Sequence, residues 1–310
     1  MPILHLSALP SKESVVFESS SFFVHHTTLP TPDEVRHEAT GSPPHPVDPW
    51  KWCVVRFPSL RLIVKYGRQI TIAEGQCLWA MRTLLGTTVP VPEVYGWCRD
   101  GDSTFLYMEL IEAPTLKDRW NTLSTSEKDE IGKQFGQMVE NIRRLELPPS
   151  RSFIGAHSPM LSVCICLDYS GHIGGQPIQD IIFTDSCHLP CPGPFPDVTS
   201  FHNYFVKART PNAEDLDPHD EYRLLLPDSS PIRFTHGDLH PTNILVSPEG
   251  TPIRIVAIID WHQSGWLPEY WEFCKAVYSV YYDEWEPYVR RALKEPEGYM
   301  GFEWFSLSLM

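Results

Sequence analysis

The spacing of apolar residues along the chain changes between alternating and helical, and these changes predict its elements. Residues 52–57 and 60–64 are rich in β-branched and aromatic side chains and are separated by a Pro-Ser break. This pattern predicts a hairpin whose second strand closes at Lys65. Two further strands are predicted at residues 94–97 and 105–110, with an Asp-Gly-Asp turn between them. Together with the helix described next, these strands predict a small α+β lobe.

Two sequences of the capping-box type mark helix starts, namely Thr71 with Glu74 and Ser124 with Glu127. Apolar residues at helical spacing follow each box, and the two periods end at Gly86 and at residues 148–149, which are both proline. A short helix is also predicted at residues 200–207, and an aromatic-rich buried helix at residues 271–282. We therefore expect one helix in the first lobe and a mainly helical second lobe.

The chain divides into a tail and two lobes. Residues 1–32 lack a sustained period and are expected to form a tail that packs as one short element. Residues 33–112 are predicted to form the small lobe and residues 113–310 the large one. Within the large lobe, residues 148–231 contain twelve prolines, which predicts a loop-rich insertion. Long ordered loops usually serve binding.

Composition and charge exclude several classes of protein. A hydrophobic content of 42% with 21% charged residues excludes a wholly disordered chain, a collagen and a coiled coil. The net charge of −14 disfavours a nucleic-acid partner, because a polyanion would be repelled. Apolar stretches fall short of the roughly 18 residues of a membrane helix, the N-terminus lacks a secretory signal, and the eight cysteines are scattered. We expect a reduced, cytoplasmic protein without a membrane partner.

Three polar residues predict a site for metal-dependent chemistry. Asp238 and Asn243 lie in a turn after a predicted strand, and Asp260 follows a second strand at residues 253–259. A hairpin between these segments brings Asn243 and Asp260 to the same end of the sheet. There, hard oxygen ligands can hold Mg²⁺ on a polyphosphate while Asp238 faces a nucleophile.

These segments resemble a known family. Residues 236–243, His-Gly-Asp-Leu-His-Pro-Thr-Asn, and residues 258–261, Ile-Ile-Asp-Trp, are similar to the catalytic loop and metal aspartate of the aminoglycoside phosphotransferase and choline kinase-like family. Residues 62–67, Glu74, and the segments 89–96, 107–110 and 193–195 extend the resemblance, most closely to the fungal branch of that family. The resemblance covers roughly residues 50–285.

The resemblance implies a two-lobed, protein kinase-like fold of the α+β class. Its N-lobe is β-rich with one helix, and its larger, mainly helical C-lobe carries a catalytic β-hairpin. By this resemblance the cofactors are ATP and Mg²⁺. The implied residues are Asp238 as the catalytic group, Asn243 and Asp260 as metal ligands, Lys65 with Glu74 on the nucleotide phosphates, and Met108, Glu109, Leu110 and Ile111 as the hinge for adenine.

Two positions depart from the protein kinase pattern. Gly237 stands where protein kinases have an arginine that engages a phosphorylated activation loop, so that form of regulation is not expected. Gly41 is the only glycine upstream of Lys65, so a Gly-x-Gly-x-x-Gly phosphate loop is absent from the sequence. The first departure favours a small-molecule substrate over a protein. The second leaves weak or absent turnover as an alternative.

Other interpretations of the same residues stay open at the level of sequence. Glu74 is explained by its capping box as well as by an ion pair, and His236 fits a bracing role better than proton transfer. On one strand face, His236, Asp238 and His240 also fit a transition-metal hydrolase, although Pro241 argues that the strand ends there. Two further candidate sites are a zinc site at Cys164, Cys166, Cys187, His188 and Cys191, and an acidic substrate surface at Glu214, Asp215, Asp217, Asp220 and Glu221.

The function predicted from the sequence is phosphoryl transfer from Mg-ATP to a hydroxyl, or less often an amine, of a small metabolite. The alternative is a pseudokinase that keeps the fold and binds a nucleotide or a partner without turnover. The sequence identifies neither the acceptor nor an oligomeric state.

Overall fold

A computed structural model describes residues 2–41, 52–148, 171–183, 189–210, 221–279 and 284–307. In its first part, five strands form one antiparallel sheet of order β1-β4-β5-β3-β2. Their bounds are β1 (Val15–Val16), β2 (Cys53–Phe57), β3 (Leu62–Gly67), β4 (Val94–Asp100) and β5 (Ser103–Glu109). The two predicted hairpins are confirmed, since β2 pairs with β3 and β4 with β5. The pairing of β3 with β5 joins the two hairpins into one sheet.

The N-terminal residues form more than the single short element expected from the sequence. Their strand β1 joins the edge of the sheet against β4, and α1 (Pro32–Gly41) follows it. Upstream, the main chain of Leu4 bonds to that of Glu146 at the end of a C-lobe helix. Pairing of β1 satisfies the free backbone groups of the β4 edge, a feature that periodicity over two residues does not signal.

The second lobe is mainly helical. The remaining helices are α2 (Ile72–Ala80), which packs on the sheet, and α3 (Leu116–Arg119), α4 (Thr125–Arg143), α5 (Val198–Arg209), α6 (Trp271–Tyr278), α7 (Glu286–Leu293) and α8 (Tyr299–Leu307). The helix predicted after Ser124 is confirmed together with its capping box, because the Ser124 hydroxyl accepts from the Glu127 amide and the Glu127 carboxylate accepts from Ser124. The described helix α6 ends at Tyr278, before the predicted residue 282.

Two strand pairs sit at the junction of the lobes and carry the catalytic segments. Strand β6 (Ile232–Thr235) pairs with β9 (Gly265–Pro268), and β7 (Ile244–Val246) pairs with β8 (Ile255–Ile258). The second pair is the predicted catalytic hairpin, and its Ile259 amide donates to the Asn243 carbonyl at 3.0 Å. As expected, this register places Asn243 and Asp260 at the same end.

The core runs through both lobes. One cluster of buried apolar side chains joins α2 and the cleft side of the sheet to the C-lobe helices, and a smaller one covers the opposite face of the sheet. Within the described segments, the helices are too short or too polar to cross a membrane.

Candidate active site

Lys65 lies at the centre of an ion cluster that joins the two lobes. Its position in β3 puts its ammonium on the face of the sheet that packs against α2, where Nζ lies 2.7 Å from Glu74 Oε1. The same nitrogen lies 2.5 Å from Asp260 Oδ1, which comes from the C-lobe. Burial disfavours the charged amine, but the two carboxylates outweigh burial and raise the pKa of Lys65. Lys65 is therefore a fixed positive charge.

Glu74 belongs to this cluster and not to a helix cap. Thr71 is the N-cap residue of α2, but its side chain accepts no hydrogen bond from the helix, so the predicted capping box is wrong. The Glu74 side chain instead points inward to Lys65 and is 2% exposed. Among the described residues, its second oxygen, Oε2, has no hydrogen-bond partner. The ion pair offsets the cost of burying this carboxylate, which a cap in solvent would not have incurred.

Asp260 is held in a strained backbone conformation at the end of β8. Its φ of 67° and ψ of 64° lie in the left-handed region, which non-glycine residues seldom adopt. The turn aims the Asp260 carboxylate at the N-lobe, where Oδ1 accepts from Lys65 and from His262 Nδ1 at 2.8 Å. Burial alone would raise the pKa of Asp260, but His262 and Lys65 hold it well below its usual value. The carboxylate is thus ionised at neutral pH.

The loop after β6 brings Asp238 and Asn243 into direct contact. The side-chain nitrogen Nδ2 of Asn243 donates to the main-chain carbonyl of Asp238 at 2.9 Å and to Asp238 Oδ2 at 3.0 Å. Burial acts to raise the pKa of Asp238, but its interactions with the neighbouring His240, followed by those with His236 and Lys275, lower it overall. Asp238 is therefore a carboxylate whose orientation is fixed by Asn243.

His236 braces this loop with both ring nitrogens. Nδ1 accepts from the Asp238 amide at 3.1 Å, and Nε2 donates to the Ile259 carbonyl at 3.0 Å. Burial lowers the pKa of His236 to about 4, so the ring is neutral. With both nitrogens engaged, His236 has no lone pair for a metal, and the described residues contain no His/Cys/Asp/Glu cluster suited to one. The structure therefore does not support the hydrolase alternative. It supports a bracing role for His236.

Glu272 is a residue of the site that the sequence interpretation missed. It lies in α6, is 1% exposed, and accepts the main-chain amides of His236 at 2.5 Å and Gly237 at 3.1 Å. Burial raises the pKa of Glu272 to about 7, against the opposing effect of these two donors. A glutamate inside a helix rich in aromatic and apolar residues was the available signal, since a buried carboxylate needs partners. The sequence does not indicate that these partners are the main-chain amides of the loop that carries Asp238.

The predicted hinge lies at the end of β5. Met108 and Leu110 are buried, and Glu109 and Ile111 are partly exposed. The amide of Glu109 donates to the Glu93 carbonyl at 2.8 Å and that of Leu110 to the Arg61 carbonyl at 2.9 Å, so both belong to the sheet network. The Ile111 carbonyl accepts from Ala113. These four residues stay a prediction for the adenine site.

Most residues of the other two candidate sites lie outside the described segments. Of the cysteines and histidine of the suggested zinc site, the described one is Cys191, which is exposed with a free thiol. Of the acidic cluster, the described residue is Glu221. Both sites stay untested.

Comparison with known proteins decides the family. The model of the phosphotransferase enzyme family, abbreviated APH, matches residues 72–308, which is more than half of the chain. The chain belongs to this phosphotransferase family. A comparison with curated proteins gives no significant match.

Solved aminoglycoside phosphotransferases share the fold of this phosphotransferase. APH(4)-Ia is 14% identical with a TM-score of 0.51, covering 83% of this chain and 84% of its own. A thermostable mutant of APH(4)-Ia, solved with AMP-PNP and hygromycin B, is 13% identical with a TM-score of 0.50 and covers 84% of each chain. The GDP complex of aminoglycoside 2'-phosphotransferase-IIIa is 13% identical with a TM-score of 0.50, covering 83% and 79%. The predicted two-lobed, protein kinase-like fold is confirmed.

Two side-chain oxygens of the site, one from Asn243 and one from Asp260, fit a divalent cation in this phosphotransferase. Asn243 uses its amide nitrogen towards Asp238, which leaves its carbonyl oxygen available. Asp260 uses Oδ1 towards Lys65 and His262, and within the described segments its Oδ2 receives no hydrogen bond. An amide oxygen and a carboxylate oxygen at one hairpin end are the hard ligands that Mg²⁺ prefers. Asn243 and Asp260 therefore suit Mg²⁺ together with substrate phosphates.

Proposed function

We propose that this protein transfers a phosphoryl group from ATP, with Mg²⁺, to a hydroxyl or less often an amine of a small metabolite. The observation that carries the proposal is the Lys65 ammonium, which bridges Glu74 and Asp260 across the two lobes at 2.7 and 2.5 Å. Phosphoryl transfer depends mainly on positioning and charge neutralisation, and this bridge supplies a buried, permanently charged cation for the polyphosphate.

Each residue of the site has a role in the proposed reaction. Lys65 holds the α and β phosphates, and Glu74 fixes the direction of its ammonium. Asn243 and Asp260 hold Mg²⁺, which when bound neutralises the charge on the phosphates. Asp238 orients the acceptor hydroxyl and takes its proton late in the reaction, because its lowered pKa makes it a weak base. His236 and Glu272 keep the Asp238 loop in place.

The solved relatives support nucleotide and small-molecule substrates. The mutant APH(4)-Ia structure holds AMP-PNP with hygromycin B, and the 2'-phosphotransferase-IIIa structure holds GDP. We carry over the class of ligand, a nucleotide with a small acceptor, and not the aminoglycoside. Because the fold leaves the acceptor to its loops, we assign acceptor choice to the insertion at residues 148–231. The resemblance to the fungal branch is part of this proposal.

A binding measurement tests the proposal before any acceptor is known. Wild type and Asp260→Ala are titrated with ATP, with and without Mg²⁺, and followed by thermal unfolding. Ligand at about 100 times its dissociation constant adds about 2.7 kcal/mol of stability. We expect a Mg²⁺-dependent stabilisation in wild type that is lost in Asp260→Ala.

Two other outcomes are informative. Folded wild type that binds no nucleotide contradicts the proposal. Nucleotide binding without hydrolysis or transfer, across a screen of small hydroxyl and amine acceptors, favours the alternative of a nucleotide-binding module without turnover.

A further inference from the structure

Trp52 is an exposed aromatic residue beside the candidate phosphate site. It directly precedes β2, which lies at one end of the described sheet order, and its side chain is 43% exposed. The centre of one of its rings lies 5.4 Å from Lys65 Nζ, within the range of a cation–π contact. An indole placed in solvent against a buried ion cluster is an unusual use of a large apolar side chain.

The strand register explains how Trp52 reaches Lys65. Val54 of β2 pairs directly with Lys65 of β3, so their side chains share one face of the sheet. Side chains alternate along a strand, which puts Trp52, two residues before Val54, on the same face. Val54 is also exposed, at 41%. Two exposed apolar side chains therefore lie on the sheet face of Lys65, and Trp52 is the one that reaches its ammonium.

The Lys65 ammonium leaves one direction for a ligand. An ammonium has three N–H donors, and two of those of Lys65 go to Glu74 and Asp260. No described residue accepts from the third, which is left for a phosphate oxygen, and the Trp52 ring borders the same ammonium. A group bound to the third donor would therefore lie beneath or beside the indole.

The sequence lacks the usual cover for such a phosphate. Gly41 is the only glycine before Lys65, so a glycine-rich loop is not available to close over the polyphosphate. We propose that Trp52 supplies this cover: its indole packs over Lys65 and the bound polyphosphate and limits the access of water to the transferred phosphoryl group. The inference rests on the proposed function and adds a positioning residue to it.

The competing reaction that this cover suppresses is hydrolysis. A water oxygen forms a bond to the γ-phosphorus while the bond from that phosphorus to the β–γ bridging oxygen breaks. ADP leaves with the bond electrons, and the proton of the attacking water passes to solvent. Excluding water from the site lowers this rate without affecting an acceptor bound in its place.

Two substitutions separate a cover from a structural role. In Trp52→Ala we expect about fivefold weaker Mg-ATP binding, because the bound nucleotide loses the contact with the indole that covers it. In the same variant, ATP hydrolysis measured without an acceptor should rise severalfold in kcat. Trp52→Phe keeps an aromatic ring and should stay close to wild type in both quantities.

The matched control is Trp304→Ala. Trp304 is exposed to a similar degree, 46%, and stacks on Tyr222 in the C-lobe. Its loss should leave both Mg-ATP binding and hydrolysis unchanged. Melting temperatures of all variants show that each is folded.

The outcomes distinguish this inference from the proposed function. Wild type that fails to bind Mg-ATP defeats both. Wild type that binds and turns over Mg-ATP, with Trp52→Ala hydrolysing it no faster than wild type, overturns the cover and leaves the proposed function standing.

A fluorescence measurement provides a second readout that does not depend on turnover. Acrylamide quenches exposed tryptophans, and bound AMP-PNP with Mg²⁺ should shield Trp52 from it. We expect the nucleotide to reduce quenching in wild type and to have a smaller effect in Trp52→Phe. Equal effects of the nucleotide in the two proteins would show that Trp52 does not cover it.

Discussion

Among the residues that the structure describes, two lysine–aspartate pairs have equal lengths but different surroundings. Lys65 Nζ lies 2.5 Å from Asp260 Oδ1, and Lys275 Nζ lies 2.5 Å from Asp180 Oδ1. The first pair joins the two lobes, and the second lies inside the C-lobe between α6 and the segment before Ile181. The distances alone do not tell a functional pair from a structural one.

The difference lies in what remains available to a ligand. Asp180 accepts from Lys275 and the Ile182 amide through Oδ1 and from the Trp271 indole through Oδ2, and the side chains of the pair are 0% exposed. Lys275 also donates to Gln263. Both carboxylate oxygens of Asp180 are therefore engaged, and the pair is closed to solvent.

The pair in the cleft is incomplete. The side chains of Lys65 and Asp260 are 11% and 19% exposed, and Asp260 Oδ2 receives no hydrogen bond from the described residues. Unused hydrogen-bonding and ligand positions are what a substrate would complete, so we assign the open network to the proposed site and the closed one to its structural support.

Replacing the aspartate of each pair by asparagine gives the largest expected contrast in stability and activity. The first of these variants is Asp180→Asn. This change removes the only charge partner that the structure gives Lys275 among the described residues, and it sets an amide nitrogen or a neutral oxygen against three donors. A buried charge left without its partner costs about 3–5 kcal/mol of unfolding free energy. Urea unfolding of wild type and variant measures this loss, and a loss below about 1 kcal/mol would show that the network relaxes.

Asp260→Asn is the corresponding change in the open network. The asparagine carbonyl can still accept from Lys65 and His262, and Lys65 keeps Glu74 as a charged partner, so we expect a smaller loss of unfolding free energy than in Asp180→Asn, about 1–3 kcal/mol. Phosphoryl transfer should fall about 10²–10³-fold in kcat, because the carboxylate no longer neutralises the metal. Mg-ATP hydrolysis measures the activity. Asp180→Asn, assayed at a temperature at which it is folded, serves as the comparison. A variant that keeps full turnover would remove Asp260 from the metal site.

Glu272→Gln tests the connection between the two regions. Its two carboxylate oxygens hold the amides of His236 and Gly237, and glutamine can accept only one of them. A buried amide left without an acceptor costs about 1–3 kcal/mol, part of which we expect to appear as movement of Asp238. Steady-state kinetics should show a lower kcat with KM for Mg-ATP nearly unchanged. An unchanged kcat with a lowered stability would assign Glu272 to folding alone.

The pH dependence of stability follows from the raised pKa of Glu272. Because its pKa in the folded protein is about 7, above its ordinary value of 4.5, its contribution is fully present below about pH 4.5 and is lost as the pH rises through 7. Wild type should therefore lose more stability between pH 5 and 8 than Glu272→Gln, which has no carboxyl to ionise.

Local patterns predicted those parts of the fold that depend on neighbouring residues. Both hairpins of the N-lobe, α2 and the helix α4 with its capping box were predicted because their periods and turns are contained in the segments themselves. The helix at residues 200–207 was predicted in place but is longer, as α5, because its Asp197 cap lies outside the apolar period. The pairing of β6 with β9 and of β1 with β4 was not predicted, since each depends on distant partners.

The site shows the same division. Asp238, Asn243 and Asp260 were predicted because one short motif and one hairpin bring them together. The capping box at Thr71 was wrong because the local signal of Glu74 competes with a buried lysine from another element. Glu272 and Trp52 were missed because their contacts, to the catalytic loop and to Lys65, arise only when separate elements pack.

The smallest expected effect concerns a buried histidine that contacts the main chain of His262. His172 accepts the Ile173 amide at Nδ1 and contacts the His262 carbonyl with Nε2, an arrangement that requires the neutral ring. Burial lowers the pKa of His172 from 6.5 to about 4. Its contribution to stability is therefore present above pH 6.5 and is lost as the pH falls through 4, because only the unfolded chain takes up the proton in that range.

This contribution can be isolated from that of Glu272, which acts in the opposite direction over the same range. Replacing His172 by glutamine removes the titration, so the loss of unfolding free energy between about pH 6.5 and 5.5 should be smaller than in wild type by about 1 kcal/mol. Urea unfolding at the two pH values gives this difference. If both proteins lost stability equally, His172 would be protonated in the folded state, and its bond to the Ile173 amide could not persist. A pH effect carried by a buried ring, with the Lys65 cluster unchanged, would confirm that the two regions respond to different variables: the closed groups to protons through folding, and the open groups to a ligand.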